Sequence, residues 1–269
     1  MNKFEFAGST VLVTGASSGI GRAFAQDLAS RGAHLILTAR SASSLDALAH
    51  QLRQQHCVNV ACFPVDLSEA NAPSALYERV CAAGLTVDVL INNAGFGRWT
   101  RFHSEDPRTY RNMLALNINA VVELTQRFVP DMLARGRGGV INVASTAAFQ
   151  PVSYIAVYAA TKSFVLNFTE ALDGEYRRHG IRFLALCPGA TATNFSRVAK
   201  ARVEDKRQDQ PEDVARAGLD AFRRGRSSFV TGTANYLWSL LPRVLPRTCA
   251  IAIVEKMFEK QVVPYSGQA

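Results

Sequence analysis

Short runs of β-branched and apolar residues recur along the chain at 10–14, 34–38, 59–64, 87–91, 140–143 and 181–187. Each run is near-continuous in its hydrophobicity instead of alternating, which is the pattern of a strand with helices packed on both faces. Longer stretches with apolar residues at helical spacing lie between them, marked by Ala23, Ala25, Leu28 and Ala29, then Leu45, Leu48, Ala49 and Leu52, then Leu76, Val80 and Ala83. Strands and helices in alternation predict a parallel, doubly wound α/β sheet. Right-handed crossovers then bring the C-terminal ends of the strands to one edge, where ligands bind.

After Cys187 the pattern loosens. Residues 188–210 are polar, a helix is predicted from Pro211 with Glu212 and Asp213 in its first turn, and a short strand follows near 228–231. From 235 to 258 the chain is apolar again, interrupted by Pro242 and Pro246 and carrying Tyr236, Trp238 and Phe258. Such a tail either packs on the body or a partner, or covers an apolar pocket. With no repeat and no linker, one domain is expected over 1–269: a core at 8–231 and an apolar helical extension at 232–269.

Composition narrows the classes. At 269 residues, 48% hydrophobic and 19% charged, the chain is too apolar to be disordered. Its five cysteines are dispersed without a CxxC pair, so neither a disulfide framework nor a metal site is expected. No apolar leader precedes the first strand and no stretch nears the ~18 apolar residues of a spanning helix, so a soluble, cytoplasmic protein is expected. The net charge of +8 divides into +2 before residue 150 and +6 after. In the second half Arg197, Lys200, Arg202, Lys206, Arg207, Arg216, Arg223, Arg224 and Arg226 are interleaved with Glu204, Asp205, Asp209, Glu212, Asp213 and Asp220. That mixing reads as a solvated face, not a nucleic-acid surface.

The candidate chemistry sits where strands end. The first strand runs into Thr14-Gly15-Ala16-Ser17-Ser18-Gly19-Ile20-Gly21 and then a helix, a loop that can aim backbone N–H groups at a phosphate. No lysine closes it, which disfavours a nucleotide-hydrolysing phosphate loop. The second strand ends Thr38-Ala39-Arg40, with a guanidinium where an NAD-preferring site has an acid. That suits a 2′-phosphate and NADP(H), the plain alternative being an exposed loop arginine. Asp66 after the third strand either accepts from an adenine amino group or caps a helix. Asn92-Asn93-Ala94-Gly95 after the fourth can hold the sheet edge and line a cofactor.

The fifth strand leads to Ser145, and thirteen residues later comes Tyr158-Ala159-Ala160-Thr161-Lys162. An i, i+4 pair shares one helix face, so Lys162 can sit beside the Tyr158 phenol and favour its ionised form. Ser145 would then hydrogen-bond a substrate oxygen while Tyr158 passes the proton.

These motifs together resemble the short-chain dehydrogenase/reductase family, in the branch marked by T-G-x-x-x-G-x-G and Y-x-x-x-K. They run from TGASSGIG at 14–21 through Arg40, Asp66-Leu67, NNAG at 92–95, Asn117, Ser145, Tyr158, Lys162 and Pro188-Gly189 to Thr193. The resemblance implies a Rossmann-type fold and hydride transfer between NADP(H) and a carbonyl/alcohol pair. It makes Asn117, Ser145, Tyr158 and Lys162 the catalytic set, with Asn117 positioning a relay water. It assigns the cofactor to Gly15, Ser17, Ser18, Gly19, Ile20, Gly21, Arg40, Asp66, Leu67, Asn93, Ala94 and Gly95, with Tyr158, Lys162, Pro188, Gly189, Thr191 and Thr193. It also implies a substrate lid within 188–210 and a homodimer or homotetramer packed through helices at 108–133 and 155–178. Phe96, Trp99, Phe149, Val152, Tyr154 and Phe195 flank the motif loops and point to an apolar ketone or acyl-chain substrate, ordinary core being the other reading. A 3-oxoacyl-thioester reductase and a non-catalytic NADP-binding sensor or scaffold are the alternatives.

Overall fold

The computed structural model describes residues 3–201 and 208–262. Arg202, Glu204, Asp205, Lys206 and Arg207, and with them the middle of the expected lid, lie outside the described residues, as does the end of the extension.

Strands β1 (Thr10–Thr14), β2 (His34–Thr38), β3 (Val60–Cys62), β4 (Val89–Asn92), β5 (Gly138–Val143), β6 (Ile181–Cys187) and β7 (Ser228–Val230) form one sheet. Their order is β3-β2-β1-β4-β5-β6-β7, and every pairing is parallel. The near-continuous apolar runs are explained by burial on both sides. Val11, Val13, Leu35, Leu37, Val89 and Ile91 pack on one face with residues of α1 (Gly19–Ser30), α2 (Ala42–His56) and α8 (Pro211–Arg223). Leu12, Ile36, Leu90, Val140 and Phe183 pack on the other with α3 (Ala72–Ala82) and α5 (Ala120–Ala134). Strand order reverses between β1 and β4, so the crevice for a ligand opens where these two strands end.

Beyond β3 the hydrogen bonds to β2 continue, the Phe63 N–H donating to the Leu37 carbonyl at 2.9 Å and the Val65 N–H to the Ala39 carbonyl at 3.0 Å, while Pro64 falls at an edge-strand position where no ladder N–H is needed. The helix expected at 108–133 is interrupted. α4 (Pro107–Leu114) passes into a π-helical turn at Ala115–Asn119 before α5, a widening that local propensity does not encode. α6 (Ala156–Tyr176) matches the other long helix closely.

The apolar tail folds into α9 (Thr233–Val244) and α10 (Arg247–Phe258) after the short α7 (Phe195–Val198) and α8. Ala250, Val254 and Phe258, spaced i, i+4, i+8, form the inward side of α10, and the Phe258 ring lies 5.0 Å from that of Trp99. Among the basic residues of the second half that the structure describes, Arg216 pairs with Asp213 at 3.4 Å and Arg223 with Glu5 at 3.3 Å, both at the surface.

Candidate active site

At the end of β1 the backbone turns on Gly15 (φ +66°) and Gly19 (φ +54°), conformations that side chains rarely adopt. Gly21 is required for a different reason: a Cβ there would lie 2.3 Å from the Gly15 carbonyl oxygen. Ser18 caps α1 without a side-chain hydrogen bond, and the first turn of α1 holds no acid. The positive end of the helix, with Gly19, Ile20 and Gly21 as its first residues, is thus left for an external anion, and the loop from Gly15 through Ser17 reaches it without obstruction. A pyrophosphate fits this cradle by shape and by charge.

Thr14, Asn93 and Ala94 fasten the cradle to β4. The Thr14 hydroxyl accepts from the N–H groups of Asn93 and Ala94 at 2.9 Å each, and Asn93 Nδ2 donates to the Thr14 carbonyl at 2.8 Å. Asn93 therefore holds the sheet edge with its side chain. Arg40, two residues past β2, is exposed and makes no hydrogen bond or ion pair among the described residues. Asp66 Oδ1 accepts from the N–H and hydroxyl of Ser68 at 3.0 and 2.7 Å, closing a turn. The helix does not begin there, since α3 starts at Ala72, and Oδ2 of Asp66 has no partner among the described residues. Leu67 beside it is buried against the second face of the sheet.

Ser145, Tyr158 and Lys162 converge where β5 ends. Ser145 follows the strand, its hydroxyl accepts from the Ala147 N–H at 3.1 Å, and it lies near enough to the Tyr158 phenol to oppose the rise in its pKa. The Tyr158 ring is only partly buried, yet the protein around its hydroxyl pushes the pKa up to about 12, outweighing the opposing effect of Ser145. Lys162 is buried, and desolvation brings its ammonium down to about 8. Its Nζ donates to the Val143 carbonyl at 2.6 Å and lies 5.7 Å from the Tyr158 ring centre. Burial is the larger influence on Tyr158 in this arrangement, and the Lys162 ammonium is engaged by the Val143 carbonyl. Tyr158 holds its proton at neutral pH, as a general acid must.

Asn117 sits in the π-helical turn, buried. Its Oδ1 accepts from the Phe96 N–H at 3.2 Å, and its Nδ2 donates to the Phe96 carbonyl at 3.0 Å and to Thr161 Oγ1 at 3.1 Å. It fixes the loop after β4 onto α6, beside Lys162. A Cβ on Gly95 would come within 3.0 Å of Asn117 Oδ1 and 3.5 Å of Lys162 Nζ, so the chain passes close over this pair.

After β6, the Pro188 carbonyl accepts from the Thr146 N–H at 2.9 Å, holding this loop to that of Ser145. Gly189 packs against Asn235, Thr191 bridges to Asp209, and the Thr193 methyl would lie 3.0 Å from a Cβ on Gly19. The loop therefore reaches across to the first turn of α1, above the crevice.

The expected apolar residues divide. Phe195 lies 5.2 Å from the Tyr158 ring, and Trp99 and Val152 cluster with Tyr158, Ile155, Val254 and Phe258. Tyr154 faces the Arg101 guanidinium at 5.6 Å, and Phe96 is held by Asn117. Phe149 instead packs behind β5 and β6 with Ala148, Val165 and Cys187, away from this group. Three contributors were missed by sequence reasoning. Gly97 is one: a Cβ there would come within 2.9 Å of Phe195 and 3.1 Å of Tyr158, and the G-x-G of Gly95-Phe96-Gly97 was a usable signal. Thr161 and Val254 are the others, and only tertiary packing reveals them.

With the geometry established, similarity to known proteins decides the family. The short chain dehydrogenase family matches residues 9–204. The chain belongs to that family. It is 32% identical over 246 residues to a very-long-chain 3-oxoacyl-CoA reductase of Anas platyrhynchos, covering 87% of this chain and 76% of that one. Among solved structures, a short-chain dehydrogenase from Sphingobium yanoikuyae in complex with NADPH superposes with a TM-score of 0.80 at 29% identity, covering 97% and 98% of the two chains. The bulky-bulky ketone specific alcohol dehydrogenase from Comamonas testosteroni superposes with a TM-score of 0.77 at 27% identity, covering 97% of each chain. This short-chain dehydrogenase is an oxidoreductase of CH–OH groups by family.

Proposed function

We propose that the enzyme moves hydride between NADP(H) and the carbonyl/alcohol pair of an apolar compound, acting as a reductase. The observation that carries this reading is the Tyr158 phenol, protonated and beside Ser145, with Lys162 buried next to it and an apolar wall from Trp99 to Phe258 on the far side. Bound NADPH supplies the hydride. Ser145 orients the carbonyl oxygen, Tyr158 gives it a proton, and Lys162 stabilises the phenolate left behind and holds the cofactor ribose. Asn117 keeps the loop after β4 in register with α6. Gly15, Ser17, Gly19, Ile20 and Gly21 cradle the pyrophosphate, Asp66 accepts from the adenine, and Pro188 to Thr193 close over the nicotinamide.

Arg40 supplies the preference for the 2′-phosphate. NADPH is expected to bind at least about tenfold tighter than NADH, and Arg40→Ala to narrow that gap. Equal dissociation constants for the two cofactors in the unmodified enzyme exclude this role. Tyr158→Phe tests catalysis itself: kcat for ketone reduction is expected to fall by about 10² to 10⁴-fold while NADPH binding is retained. An unchanged function in that variant would make the protein a cofactor-binding scaffold.

A 3-oxoacyl thioester is the second reading of the substrate, favoured by the similarity to 3-oxoacyl-CoA reductases. NADPH consumption with acetoacetyl thioester against a panel of bulky ketones separates the two. Pairing of two copies through α5 and α6 is supported by Phe164, 38% exposed and stacked on Phe168 at 5.6 Å on the outer side of α6. A cytoplasmic location accompanies this reading, and no described helix is long and apolar enough to cross a membrane.

A further inference from the structure

From Thr233 to Lys260 the sequence contains Arg243, Arg247, Lys256 and Lys260 against Glu255 and Glu259, an excess of two positive charges (4 − 2). α9 and α10 commit only a narrow side of this stretch to the body. Ser239 and Ala250 are buried, and Val254 reaches the cluster around Tyr158 together with Phe258. Other large apolar side chains face outward: Tyr236, Leu237, Trp238 and Val244 are 51%, 66%, 54% and 78% exposed, and Ile253 and Met257 on α10 are 39% and 52% exposed. Single exposed apolar residues are ordinary on a soluble protein, but six on two consecutive helices are not.

Length decides between crossing a bilayer and lying on it. Each helix has 12 residues, and at about 1.5 Å per residue spans roughly 18 Å, well short of the ~30 Å hydrocarbon core. Pro242 lies inside α9 and Pro246 precedes α10, so the two do not merge into one long helix. Trp238 and Tyr236 combine an apolar body with a polar tip, the chemistry of the headgroup boundary. A second copy packed on this stretch would bury apolar area but set its net positive charge against the same charge on its partner. An anionic lipid surface satisfies both the apolar side chains and the charge.

We propose that α9 and α10 dock on an anionic phospholipid surface. The outer side of this helical pair lies among the headgroups, while its inner side, through Phe258 on Trp99, lines the apolar end of the cleft. Entry of an apolar substrate from the bilayer follows if the reductase reading holds; the docking itself is independent of that reading.

The test is flotation of the full chain with vesicles of phosphatidylcholine, with and without phosphatidylglycerol. Binding is expected to the phosphatidylglycerol vesicles, to weaken with salt, and to fall about tenfold or more in Leu237→Glu/Val244→Glu. Melting temperature and turnover of a water-soluble ketone in that variant should match the unmodified enzyme. Arg247→Glu, at the exposed start of α10, is the second check, since it should abolish the dependence on phosphatidylglycerol without loss of fold. Absence of binding, or equal binding to both vesicles, overturns the proposal. So does light scattering that finds an assembly of copies which the double variant dissolves, because the face would then belong to a second copy.

Discussion

At the end of the cleft proposed to hold the cofactor, backbone does the shaping. Gly15 and Gly19 turn with positive φ, Gly21 has no room for a methyl group, and the first turn of α1 carries no acid. At the proposed substrate end, side chains do it: Trp99, Val152 and, from α10, Val254 and Phe258 come from three separate segments to enclose one side of Tyr158. The first arrangement tolerates almost no substitution because its contacts are with peptide atoms, which cannot give way. The second consists of side chains with room to repack, so the cofactor end can stay fixed while the substrate end varies in shape and partner.

Gly21→Ala is the strongest way to test that contrast. Alanine favours a helix over glycine by about 1 kcal/mol, so propensity alone predicts stabilisation. The clash opposes it, because the new methyl group would sit 2.3 Å from the Gly15 oxygen and 2.5 Å from Asn93 Nδ2, and a carbonyl oxygen cannot rotate away as a side chain can. A net loss of about 2–3 kcal/mol in unfolding free energy is expected, with NADPH affinity reduced about tenfold or more. Gly84→Ala is the control. Gly84 has φ +67° and nothing within 4 Å of a Cβ, so it should lose only the left-handed preference, about 1–2 kcal/mol, with cofactor binding intact. Equal effects on cofactor binding in the two variants contradict a cradle built on close backbone contact.

Phe258→Ala probes the other end. Its ring is half-buried against Trp99, so the stability cost should reach only about 1–2 kcal/mol, below that of a fully buried phenylalanine. KM for a bulky apolar ketone is expected to rise about tenfold with the NADPH dissociation constant unchanged. An increase confined to the cofactor constant would assign the C-terminal helices to the wrong end of the cleft.

The same contrast explains what the sequence disclosed. The features assigned to the cofactor were legible because each is local: glycines spaced in a strand-to-helix loop, and an arginine in place of an acid just after a strand. Tyr158 and Lys162 were legible because i, i+4 spacing fixes a shared face without knowledge of the rest of the fold. The π-helical turn at Asn117 was not, since its widening depends on bonds to Phe96 and Thr161 from distant segments. Nor was the destination of Phe149, whose place behind β6 depends on packing that no local pattern records. The tail was recognisable as apolar, but which side of it meets Trp99 is a property of the assembled fold.

The smallest effect concerns the two buried groups where the ends meet, whose pKa shifts run in opposite directions. Lys162 is depressed to about 8 from its ordinary value near 10.5, so its contribution to stability is present at high pH and is lost as pH falls through about 8. Tyr158 is raised to about 12 from near 10, so its contribution is complete below about 10 and is lost as pH rises toward 12. Over about pH 8 to 10 the lysine makes the unfolded chain bind the extra proton and adds a rise in stability with pH, while Cys187, raised by burial to about 12 from 9.0, adds a fall in the upper part of that range. Urea unfolding of the cofactor-free enzyme is expected to show a smaller rise, or a steeper fall, with pH in Lys162→Met than in the unmodified chain, the variant being at least as stable near pH 7 since it removes a buried cation. A rise of the same size in Lys162→Met would place its source elsewhere, and Lys162 would then carry its charge in the folded enzyme without the cost of burial inferred from its surroundings.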